Sequence, residues 1–278
     1  MRHATADLGA SASVRIHVES LGAGPPLVLL HGFALHGGVF APIVPALART
    51  HRVHVVDLPG HGYSRDVQAS SLEAIVDRVA DAIDDVAVRD GAPSRPPAVL
   101  GWSFGGLVAM AWALRRPAGI DRLALVCPTP SFVVRPGWSF AMAEDTLQRF
   151  GDELAVAWRL TLQRFLTLQV QGSEDGRRTL AQLRARLFER GEPSVAELRQ
   201  ALSILLAADL RAHAGAIGVP TLVVTGPRDT LAPADAGAWL ARTLPAARLR
   251  TIDGAAHAPF LSHTVEFVDA LAEFLGGR

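Results

Sequence analysis

The sequence contains no lysine: all 27 of its basic residues are arginine, and 27 acidic residues balance them. A formal net charge of zero argues against a nucleic-acid binder, which needs a basic surface to meet phosphates. Cysteine occurs once, at Cys127, which excludes an intrachain disulfide and any metal centre built on several thiolates. That thiol follows the apolar run Leu123–Val126 and reads as buried core. No apolar run approaches the ~20 residues of a membrane span. The first ten residues lack the apolar stretch of a secretion signal. These absences give the expectation of a cytoplasmic chain that meets neither membrane nor nucleic acid. Apolar residues, by contrast, make up 49% of the 278, enough for one large α/β domain or two small ones.

Residues 1–12 are small and polar and read as a frayed end. Val14–Glu19 alternates apolar and polar, the pattern of an edge strand. Pro26–Leu30 is continuously apolar, as a strand covered on both faces must be. His54–Val56 ends in Asp57 and a Gly/Pro-rich loop, where a loop-bracing role is read for the carboxylate. Leu72, Ile75, Val76, Val79, Ile83 and Val86 recur at helical spacing behind two possible N-caps, Ser70 and Ser71. Further strands are read at Ala98–Leu100, Leu123–Val126, Pro220–Gly226 and Ala247–Ile252, with helices over 106–114, 234–244 and 264–275. Between the strands at 126 and 220 the pattern turns helical, over 140–155, 156–170, 176–190 and 194–207. The expected architecture is a mostly parallel sheet with helices on both faces, formed by 1–130 and 214–278, carrying an inserted helical cap over 131–213. The cap holds Arg159, Arg164, Arg177, Arg178, Arg184, Arg186 and Arg190, either solvated helix faces or a surface for an anionic partner.

The stretch Gly101-Trp102-Ser103-Phe104-Gly105 lies between a strand and a helix. In that setting G-x-S-x-G forms a sharp elbow that lifts the serine hydroxyl clear of the sheet. His31-Gly32-Phe33 ends an earlier buried strand. Gly32 permits close backbone approach, and the amides of Phe33 and Phe104 form a candidate oxyanion hole. His31 is assigned to bracing its loop. Asp229 and His257 each lie just past a predicted strand, so Ser103, Asp229 and His257 share the carboxyl edge of one sheet, where open α/β sheets bind ligands. A serine hydroxyl is a poor nucleophile near neutrality. His257 would accept its proton, and Asp229 would hold the imidazole tautomer. Asp253 is too local to back His257, Asp235 sits inside a helix, and His263 begins the last helix.

The chain order Ser103, Asp229, His257 is similar to that of the α/β-hydrolase superfamily, and nearly the full length resembles it. Within the superfamily the chain resembles the biotin-pathway carboxylesterases. The stretches Leu100–Ala109, Arg164–Gln169 and Ala255–His263 carry that closer likeness. The resemblance implies hydrolysis of the methyl ester of pimeloyl-acyl-carrier protein, releasing methanol; a monomer with no cofactor and no metal is expected. It implies an acyl pocket of Phe33, Ser103, Phe104, Phe165, Leu166, Thr167, Leu168, Gln169 and His257, and carrier-protein contacts at Arg164 and Arg177. The chain departs from that family at Phe33, where tryptophan is common, and at Leu160 and Ala181, where basic residues are. Its amino-terminal segment and residues 84–97 are also longer. Broader esterase, lactonase or carbon–carbon hydrolase activities use the same scaffold, and a non-catalytic binding protein is the reading from another class. Dehalogenases and epoxide hydrolases place aspartate at the elbow instead.

Overall fold

The structure is a computed structural model that describes residues 15–91 and 95–276. Seven strands form one sheet: β1 (Val18–Leu21), β2 (Pro26–Leu30), β3 (Arg52–Val56), β4 (Ala98–Trp102), β5 (Arg122–Val126), β6 (Thr221–Thr225) and β7 (Ala247–Thr251). Their spatial order is β1-β3-β2-β4-β5-β6-β7. Only β1 runs antiparallel, against β3. Every residue of β4 and β6 is buried. Successive side chains point to opposite faces, so both faces of the central sheet are covered.

The helices are α1 (Val44–Leu47), α2 (Leu72–Arg89), α3 (Phe104–Arg115), α4 (Glu144–Gln169), α5 (Gly176–Arg186), α6 (Val195–Ala207), α7 (Ala234–Thr243), α8 (Pro259–Ser262) and α9 (Thr264–Gly276). The buried face of α2 contains the apolar positions read from its spacing. Ser71 caps it by accepting the Ala74 amide at 3.2 Å, satisfying one of the four orphan donors of the first turn. α3 is buried from Phe104 to Ala113, a helix set into the molecule rather than lying on it. No helix among the described residues is long and apolar enough to cross a membrane.

Three sequence expectations shift. The first strand is expected from Val14, which with the rest of residues 1–14 lies outside the described ones; among the described residues it begins at Val18, paired with Val53–Val56 of β3. The segments read as 140–155 and 156–170 are one helix, α4, broken inside by Ala157 at φ −142° and ψ 48°. The Thr161 hydroxyl donates to the Ala157 carbonyl at 3.1 Å, a side-chain contact at the kink itself. Helix α5 stops at Arg186 rather than 190. Past it, the buried Arg190 turns inward to both carboxylate oxygens of Asp57 at 3.1 Å and to Glu19 at 2.6 Å. That arginine therefore joins the segment between α5 and α6 to the sheet and is not part of an exposed cluster.

Candidate active site

The elbow is a strained turn that its two flanking glycines allow. Ser103 sits at φ 56° and ψ −116°, outside the regions an L-residue prefers. A Cβ at Gly101 would lie 2.3 Å from the Gly105 carbonyl oxygen, and one at Gly105 would lie 2.2 Å from that of Leu30. Both flanking positions must therefore be glycine. The Ser103 amide donates to the Val126 carbonyl at 3.0 Å, which ties the turn to the neighbouring strand.

The three residues predicted to converge do so. Ser103 Oγ–H donates to His257 Nε2 at 2.8 Å, and His257 Nδ1–H donates to Asp229 Oδ2 at 2.6 Å. All three are buried. The other carboxylate oxygen, Oδ1, accepts the amides of Leu231 and Ala232 at 2.9 and 3.0 Å, so its orientation is fixed by its own loop. The His257 backbone is held from two sides. Its amide donates to the Gln169 carbonyl at 3.0 Å, and its carbonyl accepts the Trp102 indole N–H at 2.7 Å. This geometry can move a proton from hydroxyl to imidazole and stabilise the imidazolium that results. Cys127, Asp229 and His257 together present metal-type donor atoms, but the aspartate and histidine spend theirs on each other and on Ser103.

Phe104 is the first residue of α3, so its amide belongs to the first-turn donors that no carbonyl of the helix reaches. The Phe33 amide has no acceptor among the described residues. Gly32 lies against Trp102 and Ser103; an added Cβ would approach the indole to 3.1 Å. Ala34, at φ 62°, completes the turn. His31 braces this loop, as read: Nδ1–H donates to the Gly32 carbonyl at 2.8 Å, and Nε2 accepts the Leu58 amide at 2.9 Å. Burial depresses its pKa well below the usual imidazole value. Asp57 does likewise, accepting the amides of Gly37 and Tyr63 besides Arg190. Buried His61 lies between the rings of Phe33 and Phe104, with centroids 6.3 Å from each.

Ser103 and His257 face a cavity lined by Phe33, Phe132, Phe150, Phe165, Leu168 and Leu202, with Met142, Thr146, Leu147, Leu205 and Leu231 completing its wall. The rings of Phe33, Phe150 and Phe165 meet edge-on or tilted, with centroids 5.4 to 6.0 Å apart. Of the predicted run 165–169, only Phe165 and Leu168 reach the cavity. Leu166 is fully buried in the core. Thr167 is exposed, its hydroxyl donating to the Gln163 carbonyl. Gln169 contributes its backbone to His257. Phe104 is buried away from the cavity wall. The correction follows from helix geometry: successive residues turn by ~100°, so a contiguous run cannot face one cavity. The missed wall at 142, 146, 147 and 150 does follow helical spacing, but an apolar stripe reads the same whether it faces a core or a cavity. Arg164 and Arg177 are both exposed; Arg164 makes a 3.7 Å contact with Glu153.

A model of the alpha/beta hydrolase fold family matches residues 25–264. The pimeloyl-acyl-carrier-protein methyl ester esterase of Chromobacterium violaceum is 44% identical over 262 residues, covering 94% of this chain and 98% of that one. The protein of that name from Nitrosomonas europaea is 44% identical, covering 91% and 96%. Among solved structures, a hydrolase from Oleispira antarctica superposes with a TM-score of 0.83 at 20% identity, covering 96% and 97%. An esterase from Exiguobacterium antarcticum gives 0.80 at 21%, covering 94% and 96%. Sheet order, elbow and family match agree, and the chain belongs to the α/β-hydrolase family.

Proposed function

We propose that the chain is a serine carboxylesterase that hydrolyses the methyl ester of pimeloyl-acyl-carrier protein to the free distal carboxylate and methanol. The observation that carries this reading is the Ser103–His257–Asp229 relay, at 2.8 and 2.6 Å, opening onto an apolar cavity. The names of the relatives supply the substrate class. Ser103 Oγ attacks the ester carbonyl as His257 Nε2 takes its proton. The carbonyl electrons move to oxygen, where the amides of Phe33 and Phe104 receive them. Each such donor contributes about 3–4 kcal/mol to transition-state stabilisation. The tetrahedral species collapses, the C–O bond to methoxide breaks, and the imidazolium proton leaves with it as methanol. Water then repeats the attack on the acyl-enzyme, with His257 as base, returning the Ser103 hydroxyl and freeing the acid.

The cavity suits a methylene chain, because Phe150, Phe165, Leu168 and Leu202 offer it only apolar contact. Residues 131–213 act as a cap over the site, and Thr146 and Leu168, exposed on α4, mark where the chain leaves toward its carrier. Arg164 and Arg177 face the acidic carrier from the cap.

The test compares carrier-bound methyl ester with short p-nitrophenyl esters, for the native chain and Ser103→Ala. Native turnover should favour the carrier ester, and the variant should lose roughly 10⁴-fold or more of it with its fold intact. Retained turnover in Ser103→Ala refutes the mechanism. Equal use of all the esters would leave a broad carboxylesterase in place of the carrier-specific one.

A further inference from the structure

Cys127 follows β5 with its backbone at φ 48°. A side chain is strained in that left-handed region, and glycine usually occupies it. The residue is held there by its amide, which donates to the Val224 carbonyl at 2.8 Å. Its side chain is 1% exposed. The thiol donates to the Ala256 carbonyl at 3.7 Å, within the reach of a sulfur donor. Its sulfur, a carboxylate oxygen of Asp229 and a ring nitrogen of His257 all lie within 4.8 Å of one another. Burial, with the Asp229 carboxylate beside it, pushes the thiol pKa well up. The group therefore stays a neutral S–H and is no nucleophile. The loop it touches is packed without slack: a Cβ at Gly226 would lie 2.3 Å from the same Ala256 carbonyl oxygen. The charged side chains of the adjoining loops, Arg228 and Glu174, pair with each other at 3.0 Å in exposed positions.

We infer that Cys127 is a positioning residue for the Asp229–His257 pair: its S–H fixes the carbonyl of the residue before His257, and its sulfur fills the space beside the carboxylate that water would otherwise take. This inference rests on the Ser103–His257–Asp229 reading above. Without the sulfur the carboxylate becomes hydrated and holds the imidazolium less firmly, because a solvated charge acts at a higher effective dielectric. The strain at φ 48° persists because the side chain is required there and not merely tolerated.

The test uses Cys127→Ala, Cys127→Ser and Cys127→Gly in the full chain, with a p-nitrophenyl ester as substrate. Cys127→Ala should lower kcat about tenfold at unchanged KM, the scale seen when a partner that orients a functional histidine is removed, and the acid limb of its kcat profile should move to lower pH. Cys127→Ser keeps a donor at nearly the same volume and should restore both. Cys127→Gly relieves the backbone, so it should fold as well as the native chain while matching Cys127→Ala in rate. It supplies the measurement should the alanine variant fail to fold. A native acid limb in the alanine or glycine variant, or one that serine does not restore, overturns the inference alone. Failure of a fluorophosphonate to label the native chain overturns the Ser103 reading and this inference with it.

Discussion

His31 and His61 spend their lives buried and uncharged, which links stability to pH. Burial lowers both imidazole pKa values below the usual 6.5. The unfolded chain takes up these protons as pH falls past 6.5, while in the folded chain both rings take them up only at lower pH, His31 well below its unfolded value. Stability is therefore full above the unfolded value and is lost on acidification through the window below it. Each of the two histidines steepens that loss by up to about 1.4 kcal/mol per pH unit. Urea midpoints at pH 7.5, 6.5 and 5.5 should fall progressively, and His61→Gln should flatten the decline; a flat native profile would contradict the neutral rings. At this scale the sequence was most informative where sterics are strict. Ser103 was recognisable because its two glycine neighbours admit no Cβ, and Asp229 and His257 because each follows a strand. Arg190 was not recognisable. An arginine between two helices carries no mark that it will turn inward to Asp57, 133 positions away.

Among the elements, the strands were legible because both-face burial writes a continuous apolar run. The helices between β5 and β6 were legible as helices but not in their joints. Alanine is the strongest of the helix formers, so nothing local announces a break at Ala157, where the Thr161 hydroxyl bonds its carbonyl. The attachment of α5 to the sheet has a measurable consequence. Arg190→Ala would strand the fully buried Asp57 carboxylate without its cation, and breaking a buried pair from one side costs about 3–5 kcal/mol. The thermal midpoint should fall accordingly, and hydrogen exchange should rise first in 176–207. A loss no larger than that of an exposed arginine variant would show that the ion pair does not anchor the insertion.

Across the whole molecule, charge balances to zero, so any attraction for an acidic carrier must come from where the arginines sit. Arg164 and Arg177 are exposed on α4 and α5, and surface charges of that kind govern encounter more than chemistry. Charge reversal at both, Arg164→Glu with Arg177→Glu, should raise KM for the carrier-bound ester about tenfold, on the basis of ~0.7 kcal/mol for each of the two surface pairs. Hydrolysis of a p-nitrophenyl ester should be unaffected, and added salt should weaken the native chain in the same way. An unchanged KM for the carrier ester would remove these two residues from docking.

The indole of Trp102 is bonded to the backbone of His257, with the two rings 5.7 Å apart. An excited indole loses its light to a nearby imidazolium far more readily than to neutral imidazole. A chain keeping Trp102 and carrying phenylalanine at Trp112, Trp138, Trp158 and Trp239 should therefore dim while the ring holds the Ser103 proton and brighten when it gives that proton up, and His257→Gln should abolish the response. The same lamp would flicker with each proton the ring takes from a hydroxyl or returns to a departing alcohol, so turnover could be watched in a stopped-flow cell with no dye attached.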